Sequence, residues 1–117
     1  MDQRKPLNLS ANDLHGWLQH KLPKPLLIDV REDHELHIAP FPFAVVHLPL
    51  SKAENWMSDL PEKIPQAQPI VVLCHSGIRS LDFANWVLAQ GLTNEIWNLD
   101  GGIDAWSLDV DQNVPRY

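Results

Sequence analysis

Short apolar runs alternate with polar segments along the chain, and prolines and glycines mark many of the boundaries. A run of about four to eight apolar residues bounded by turn residues is typical of a buried strand. We predict four such strands, over residues 26–30, 44–48, 69–73 and 95–99. The first of them contains one polar residue, Asp29, close to its end.

Helical periodicity occupies the intervals between these strands. Trp17 and Leu18 follow Leu14 by three and four residues, so a helix from residue 11 to 20 places all three on one face. Ser10 is predicted to cap the N-terminus of this helix. Further helical segments are predicted over residues 53–60, 79–90 and 103–106, the second of them ended by Gly91.

The alternation of strands and helices predicts an α/β fold in which a parallel sheet is flanked by helices. Active sites in such sheets form at the carboxyl ends of the strands. Asp29, Cys74 and Asp100 all lie at or just past a predicted strand end. A chain of 117 residues has a suitable length for one such domain, which we predict over residues 1–117.

Composition and charge argue against several classes of protein. No apolar run approaches the ~20 residues of a membrane helix. Residues 1–6 lack the apolar stretch of a signal peptide, so we expect a cytoplasmic location. The net charge of −6 argues against nucleic acid as a partner. The chain has one cysteine, which excludes an internal disulfide.

That cysteine, Cys74, directly follows the third predicted strand, and Gly77 lets the backbone turn from there into a helix. The unpaired N–H groups and the dipole of a helix N-terminus favour a bound anion, and the thiolate of Cys74 is the first candidate. A lone cysteine is also often a small buried hydrophobe. Here the neighbours are polar, which suits a pocket better than a core: His75, Ser76, Arg79 and Ser80. We therefore predict that Cys74 is a nucleophile.

The spacing between Cys74 and Arg79 discriminates between chemistries. In phosphatases with a Cys-x5-Arg loop, the arginine comes one residue later than it does here, where Ser80 occupies that position. A loop that is one residue shorter forms a smaller cradle. The smaller cradle suits a single terminal sulfur on the cysteine better than a phosphoryl group.

Three blocks of sequence, in their order and spacing, resemble the single-domain rhodaneses, which are thiosulfate-type sulfurtransferases. The blocks are Leu27-Ile28-Asp29-Val30-Arg31-Glu32, Cys74-His75-Ser76-Gly77-Ile78-Arg79-Ser80 and Asn98-Leu99-Asp100-Gly101-Gly102-Ile103-Asp104-Ala105-Trp106. The resemblance covers residues 5–108 and implies a three-layer α/β domain, with a central, mostly parallel sheet of about five strands flanked by helices. Residues 37–44 depart from the family's His-Ile-x-Gly-Ala pattern, because they lack the glycine and form a longer segment.

The resemblance implies that a sulfane sulfur is transferred through a persulfide on Cys74. The expected donor is a small anion such as thiosulfate, and the expected acceptor is cyanide or a thiol, including a protein thiol. Arg79 is expected to pair with the oxygens of the donor. The substrate-binding loop is expected to comprise His75, Ser76, Gly77, Ile78, Arg79 and Ser80. No cofactor, metal, nucleic acid or membrane is expected to take part.

Asp29 and Arg31 are interpreted as structural support, because such a pair at a strand end ties neighbouring loops together. His75 is expected to contact the substrate rather than to act as a general base. Two alternatives stay open: a non-catalytic or partner-dependent rhodanese-like module for binding or sulfur relay, and a phosphatase or arsenate reductase on the same fold. A further hypothesis makes the segment Pro40-Phe41-Pro42-Phe43 a docking surface, and it fails if Phe41 and Phe43 are buried.

Overall fold

A five-stranded parallel sheet forms the centre of the computed structural model, which describes residues 4–117. Its strands lie in the order β1-β5-β4-β2-β3, and every neighbouring pair is parallel. This order makes β4, the strand that leads to Cys74, the middle strand of the sheet. The strand bounds are β1 Leu7–Leu9, β2 Leu26–Asp29, β3 Val46–His47, β4 Ile70–Leu73 and β5 Ile96–Leu99.

Helices cover both faces of this sheet. The helices of the described residues are α1 Ala11–His20, α2 Asp33–Ile38, α3 Ala53–Trp56, α4 Leu60–Lys63, α5 Ile78–Ala89 and α6 Gly102–Asp109, with a 3-10 turn at Leu50–Lys52. Side chains of α1 and α6 pack on one face of the sheet, and side chains of α3, α4 and α5 pack on the other. The predicted α/β fold with a parallel sheet between two helical layers is therefore confirmed.

The central strand β4 shows how the apolar pattern produces two cores. Successive side chains of a strand point to opposite faces of the sheet. Ile70 and Val72 join the core beneath α5, whereas Val71 and Leu73 join the core beneath α1 and α6. All four side chains are at most 1% exposed, as expected for a parallel strand that is covered on both faces. Each such burial contributes about 1.5–3 kcal/mol, so the strand that ends at Cys74 is firmly anchored.

The first predicted helix begins and packs as its sequence indicates. The Ser10 hydroxyl accepts a hydrogen bond from the Asp13 N–H at 3.1 Å, which caps α1. Leu14 is fully buried, and Trp17 and Leu18 pack against the same core while partly exposed. The cap and the apolar face of α1 are therefore both confirmed.

Several elements differ from the sequence prediction, which did not include α2 and gave β3 as residues 44–48. The edge strand β1 was not located, because it has only three residues and its pairing with β5 defines it better than its own pattern does. The segment predicted as one helix over 53–60 forms α3 and α4, and Pro61 lies in the first turn of α4. Proline fits that position but interrupts the interior of a helix, so the chain starts a new one. The last helix extends to Asp109.

The structure does not support an aromatic docking surface at residues 40–43, because one of the two rings is buried and the other is partly buried. Phe41 is 8% exposed, and its ring centroid lies 4.8 Å from that of Trp106. Phe43 is partly buried against the same core, with its ring centroid 6.0 Å from that of Trp106. Because Trp106 offers both rings an apolar partner from α6, the segment lines the core instead of presenting an open patch.

Candidate active site

Cys74 lies at the carboxyl end of β4, where the chain turns into α5. Its side chain is buried, and Gly77 has a φ of +99°, which favours glycine. A Cβ on Gly77 would lie 3.2 Å from the Gly101 nitrogen and 3.3 Å from the Leu99 oxygen. The loop from Cys74 to Gly77 therefore packs closely against the turn that follows β5, and a side chain at Gly77 would crowd that contact.

Two backbone N–H groups and one hydroxyl oxygen contact the Cys74 sulfur. The backbone N–H groups of Gly77 and Ser80 donate to Sγ at 3.1 Å and 3.3 Å. The Ser80 hydroxyl oxygen lies 3.2 Å from the same sulfur. These groups belong to the start of α5, whose dipole also favours negative charge at this end. The arrangement stabilises an anionic sulfur, the form in which a cysteine is nucleophilic.

Asn98 is a buried polar side chain on β5 that holds this loop. Its Oδ1 accepts a hydrogen bond from the Ser80 hydroxyl at 2.5 Å, and its Nδ2 donates to the Gly77 carbonyl at 3.1 Å. The Ser80 hydroxyl has one proton, so while it donates to Asn98 it can only accept from the Cys74 thiol. The sequence prediction missed Asn98, although a polar residue within an apolar strand was a signal that could have found it.

The glycine turn between β5 and α6 supports the loop from the other side. The Ile103 N–H donates to the Cys74 carbonyl at 2.9 Å, and the Asp104 N–H donates to the His75 carbonyl at 3.1 Å. A Cβ on Gly102 would lie 2.5 Å from the Cys74 carbonyl oxygen. This turn can approach the loop so closely only because position 102 has no side chain.

Arg79 forms a bidentate pair with Glu35 of α2. The Arg79 Nη1 lies 2.6 Å from Glu35 Oε1, and the Arg79 Nη2 donates to Glu35 Oε2 at 2.8 Å. Hydrogen bonds from Arg79 lower the pKa of Glu35 to about 2, and the pairing raises the pKa of Arg79. The guanidinium thus has a carboxylate partner from the protein itself. Its predicted contact with a donor's oxygens stays a prediction.

Tyr117 lies over this pair and over the loop. Its ring stacks on the His75 ring at a centroid distance of 4.1 Å and an interplanar angle of 13°. Its hydroxyl donates to Glu35 Oε2 at 2.7 Å and accepts from Arg31 Nη1 at 3.0 Å. Burial raises the pKa of Tyr117 to about 12, so the phenol is neutral at physiological pH. Sequence reasoning missed both Glu35 and Tyr117, because no local pattern links either residue to the loop.

Asp29, the last residue of β2, and Arg31 form a fully buried ion pair that contacts α2. Arg31 Nη2 lies 2.9 Å from Asp29 Oδ2, and Arg31 Nε donates to Asp29 Oδ1 at 3.1 Å. Arg31 also donates to the carbonyls of Ala39 at 2.9 Å and Glu35 at 3.4 Å. The pair therefore braces the segment that carries Glu35.

The predicted loop residues divide into three groups. Gly77 and Ser80 are buried and donate to the sulfur. His75 and Arg79 are partly buried and contact Tyr117 and Glu35. The remaining two members face solvent on the outer side of the loop: Ser76 and Ile78. The structure thus places Gly77 and Ser80 at the sulfur and pairs Arg79 with Glu35, and the role of the six residues in substrate binding stays a prediction.

Comparisons of sequence agree with this geometry. The family model described as Rhodanese-like domain matches residues 10–109. The rhodanese-like/PpiC domain-containing protein 12, chloroplastic, of Arabidopsis thaliana is 36% identical over 120 residues, and the match covers 100% of this chain and 40% of that protein. The adenylyltransferase and sulfurtransferase UBA4 of Meyerozyma guilliermondii is 31% identical over 120 residues, with 96% and 28% covered. The chain spans well under half the length of both relatives.

Comparisons of structure agree on the fold. A rhodanese-like domain protein from Staphylococcus aureus has a TM-score of 0.72 at 22% identity, with 95% of this chain and 98% of that chain covered. The single-domain sulfurtransferase RDL2 of Saccharomyces cerevisiae has a TM-score of 0.68 at 21% identity, with 97% and 98% covered. At such low identities the likeness shows that the folds are the same, and the chemistry has to be argued from the site.

Proposed function

The chain belongs to the rhodanese-like domain family, and from that premise we propose that it is a sulfurtransferase that carries a sulfane sulfur on Cys74. The observation that carries the proposal is the set of donors at the cysteine. Two backbone N–H groups donate to a buried sulfur at the start of α5, and the Ser80 hydroxyl oxygen lies beside it at 3.2 Å. Such a cradle stabilises a thiolate before the reaction and a persulfide after it.

The proposed reaction has two displacement steps. In the first, the Cys74 thiolate attacks the outer sulfur of a donor such as thiosulfate. A new S–S bond forms, the S–S bond of the donor breaks, and sulfite leaves with the electron pair. In the second step, an acceptor nucleophile attacks the outer sulfur of the persulfide and releases the Cys74 thiolate. Covalent catalysis of this kind needs an activated nucleophile but no general base.

Cyanide is the convenient acceptor in an assay, and we propose that the natural acceptor is a thiol, which can belong to a protein. A thiolate attacks the outer sulfur of a persulfide as cyanide does. The sulfurtransferases among the relatives are compatible with this choice. The donor and acceptor of the whole protein are part of the proposal, because the chain covers only part of its curated relatives.

The extent of the domain and the location of the protein are two further parts of the proposal. We propose that residues 1–117 form one domain, of which the family model matches residues 10–109. In residues 4–117, none of the helices is both long enough and apolar enough to cross a membrane. The cytoplasmic location stays a prediction, and the name of one relative includes the word chloroplastic.

Intact-mass spectrometry of the non-reduced protein tests the proposal. The protein is measured before and after incubation with thiosulfate or with an alkyl persulfide, and again after cyanide. We expect a gain of about 32 mass units, one sulfur, that cyanide removes as thiocyanate. Cys74→Ser, which is nearly isosteric, should fold normally and show no gain. If neither donor adds sulfur to the wild type, the proposal is wrong, and the binding-module and phosphatase alternatives come next.

A further inference from the structure

The positive charge beside the candidate nucleophile is neutralised by the protein. Arg79 is the one arginine or lysine in the loop 74–80. Both of its terminal nitrogens contact the Glu35 carboxylate, at 2.6 Å and 2.8 Å. Arg31 is paired in the same way with Asp29. Among the described residues, the two cations next to this site therefore already have anionic partners.

The neutralising carboxylate is held firmly in place. The Glu35 side chain is 8% exposed, and it accepts hydrogen bonds from the Tyr117 hydroxyl at 2.7 Å and from the Glu32 N–H at 3.1 Å. Its pKa of about 2 keeps it ionised throughout the neutral range. An incoming anion would have to compete with a preorganised, partly desolvated partner for Arg79.

We propose that Glu35, held by Tyr117, is a specificity-determining residue that disfavours doubly anionic donors and favours the persulfides of thiols. This inference rests on the proposed sulfur transfer through Cys74. Thiosulfate brings two negative charges to a thiolate, and repulsion between these charges is relieved only by a cation with charge to spare. A persulfide group brings at most one negative charge, so a persulfide whose organic group is uncharged is at most a monoanion.

Sulfur transfer from a persulfide to Cys74 needs no further oxidant or reductant. The Cys74 thiolate attacks the outer sulfur of R–S–SH, a new S–S bond forms to Cys74, and the S–S bond of the donor breaks. The thiolate R–S⁻ leaves with the electron pair and takes up a proton from water. No net oxidation occurs. The overall charge of −6 acts in the same direction as Glu35, because the field of the whole protein also repels dianions.

The test compares kcat/KM for thiosulfate and for 2-hydroxyethyl persulfide, whose organic group is uncharged, with cyanide as the acceptor. We expect the wild type to use the persulfide at least about 100-fold more efficiently. In Glu35→Gln the ratio of thiosulfate to persulfide efficiency should rise about tenfold, because Arg79 then has charge available for the sulfonate oxygens. Glu54→Gln on α3 is the matched control, since Glu54 is exposed and should leave the ratio unchanged.

Salt dependence separates an electrostatic role from a structural one. Added salt screens the attraction or repulsion between the site and a charged donor. The thiosulfate kcat/KM of the wild type should stay constant or rise with salt, and that of Glu35→Gln should fall. Tyr117→Phe retains the ring stacked on His75 but removes the hydrogen bond to Glu35, so its donor ratio should rise about two- to threefold.

The experiments distinguish failure of the proposed sulfur transfer from failure of the role given to Glu35. If no donor adds sulfur to Cys74, the proposed function itself fails. If both donors react with comparable efficiency in the wild type, or if Glu35→Gln lowers both efficiencies equally, only the role of Glu35 is refuted. If Glu35→Gln does not fold, the donor ratio and salt dependence of the wild type, together with Tyr117→Phe, still decide the question.

Discussion

Removal of the buried arginine is the sharpest test of how the candidate site is supported. Arg31 is fully buried, and its guanidinium contacts the Asp29 carboxylate, the carbonyls of Ala39 and Glu35, and the Tyr117 hydroxyl. Replacement by glutamine removes the positive charge and shortens the side chain. Asp29 retains a hydrogen bond from the backbone N–H of residue 31 at 3.0 Å, but its carboxylate is left without a countercharge.

The expected cost follows from this burial. Loss of one partner from a buried, hydrogen-bonded ion pair costs about 3–5 kcal/mol, because the remaining charge is desolvated and uncompensated. A domain of this size has a total stability of about 5–15 kcal/mol, so Arg31→Gln should remove a large part of it. Arg116→Gln is the matched control. Arg116 pairs with Asp104 at 2.8 Å, but its side chain is 59% exposed, and such pairs contribute about 0–1 kcal/mol.

Urea unfolding of the two variants and the wild type measures the difference. We expect the free energy of unfolding to fall by about 3–5 kcal/mol in Arg31→Gln and by less than about 1 kcal/mol in Arg116→Gln. Asp29→Asn combined with Arg31→Gln should recover part of the loss, since two neutral amides leave no buried charge. A cost for Arg31→Gln below about 1 kcal/mol, or equal to that of Arg116→Gln, would refute the role given to the buried pair.

Four further outcomes are expected. Gly102→Ala should destabilise the protein by more than about 2 kcal/mol in urea, since its Cβ would lie 2.5 Å from the Cys74 oxygen at a φ of +61°. A Cβ on Gly16 of α1 would have no neighbour within 4 Å, so Gly16→Ala should raise the free energy of unfolding by about 1 kcal/mol. Asn98→Ala should lower the free energy of unfolding in urea by about 1–3 kcal/mol, because the Gly77 carbonyl and the Ser80 hydroxyl lose their buried partner. Pairing with Arg79 lowers the pKa of Glu35 from 4.5 to about 2. The ionised pair stabilises the folded protein by about 2 kcal/mol, after allowance for the 36% exposure of Arg79, and this contribution is complete above pH 4.5 and lost as the pH falls towards 2. The free energy of unfolding of Glu35→Gln should lack this acid-dependent loss.

Much of the fold was predictable because it depends on local patterns. The apolar runs at 26–30, 69–73 and 95–99 mark strands that are buried on both faces, and such strands are apolar at nearly every position. The Ser10 cap and the apolar stripe of α1 are likewise local features. The two-residue strand β3 and the three-residue strand β1 depend more on their neighbours, and only β3 was located.

For the candidate site, the sequence by itself placed Cys74 at a strand-to-helix turn and placed a glycine where the loop needs one. Both are consequences of neighbours within a few residues, which a sequence displays directly. The tertiary structure alone decided what surrounds that loop. Glu35 lies 44 residues before Arg79, and Tyr117 lies 82 residues after Glu35. Charge pairing over such separations depends on which strand ends and loops the sheet order brings together, and no periodicity records it.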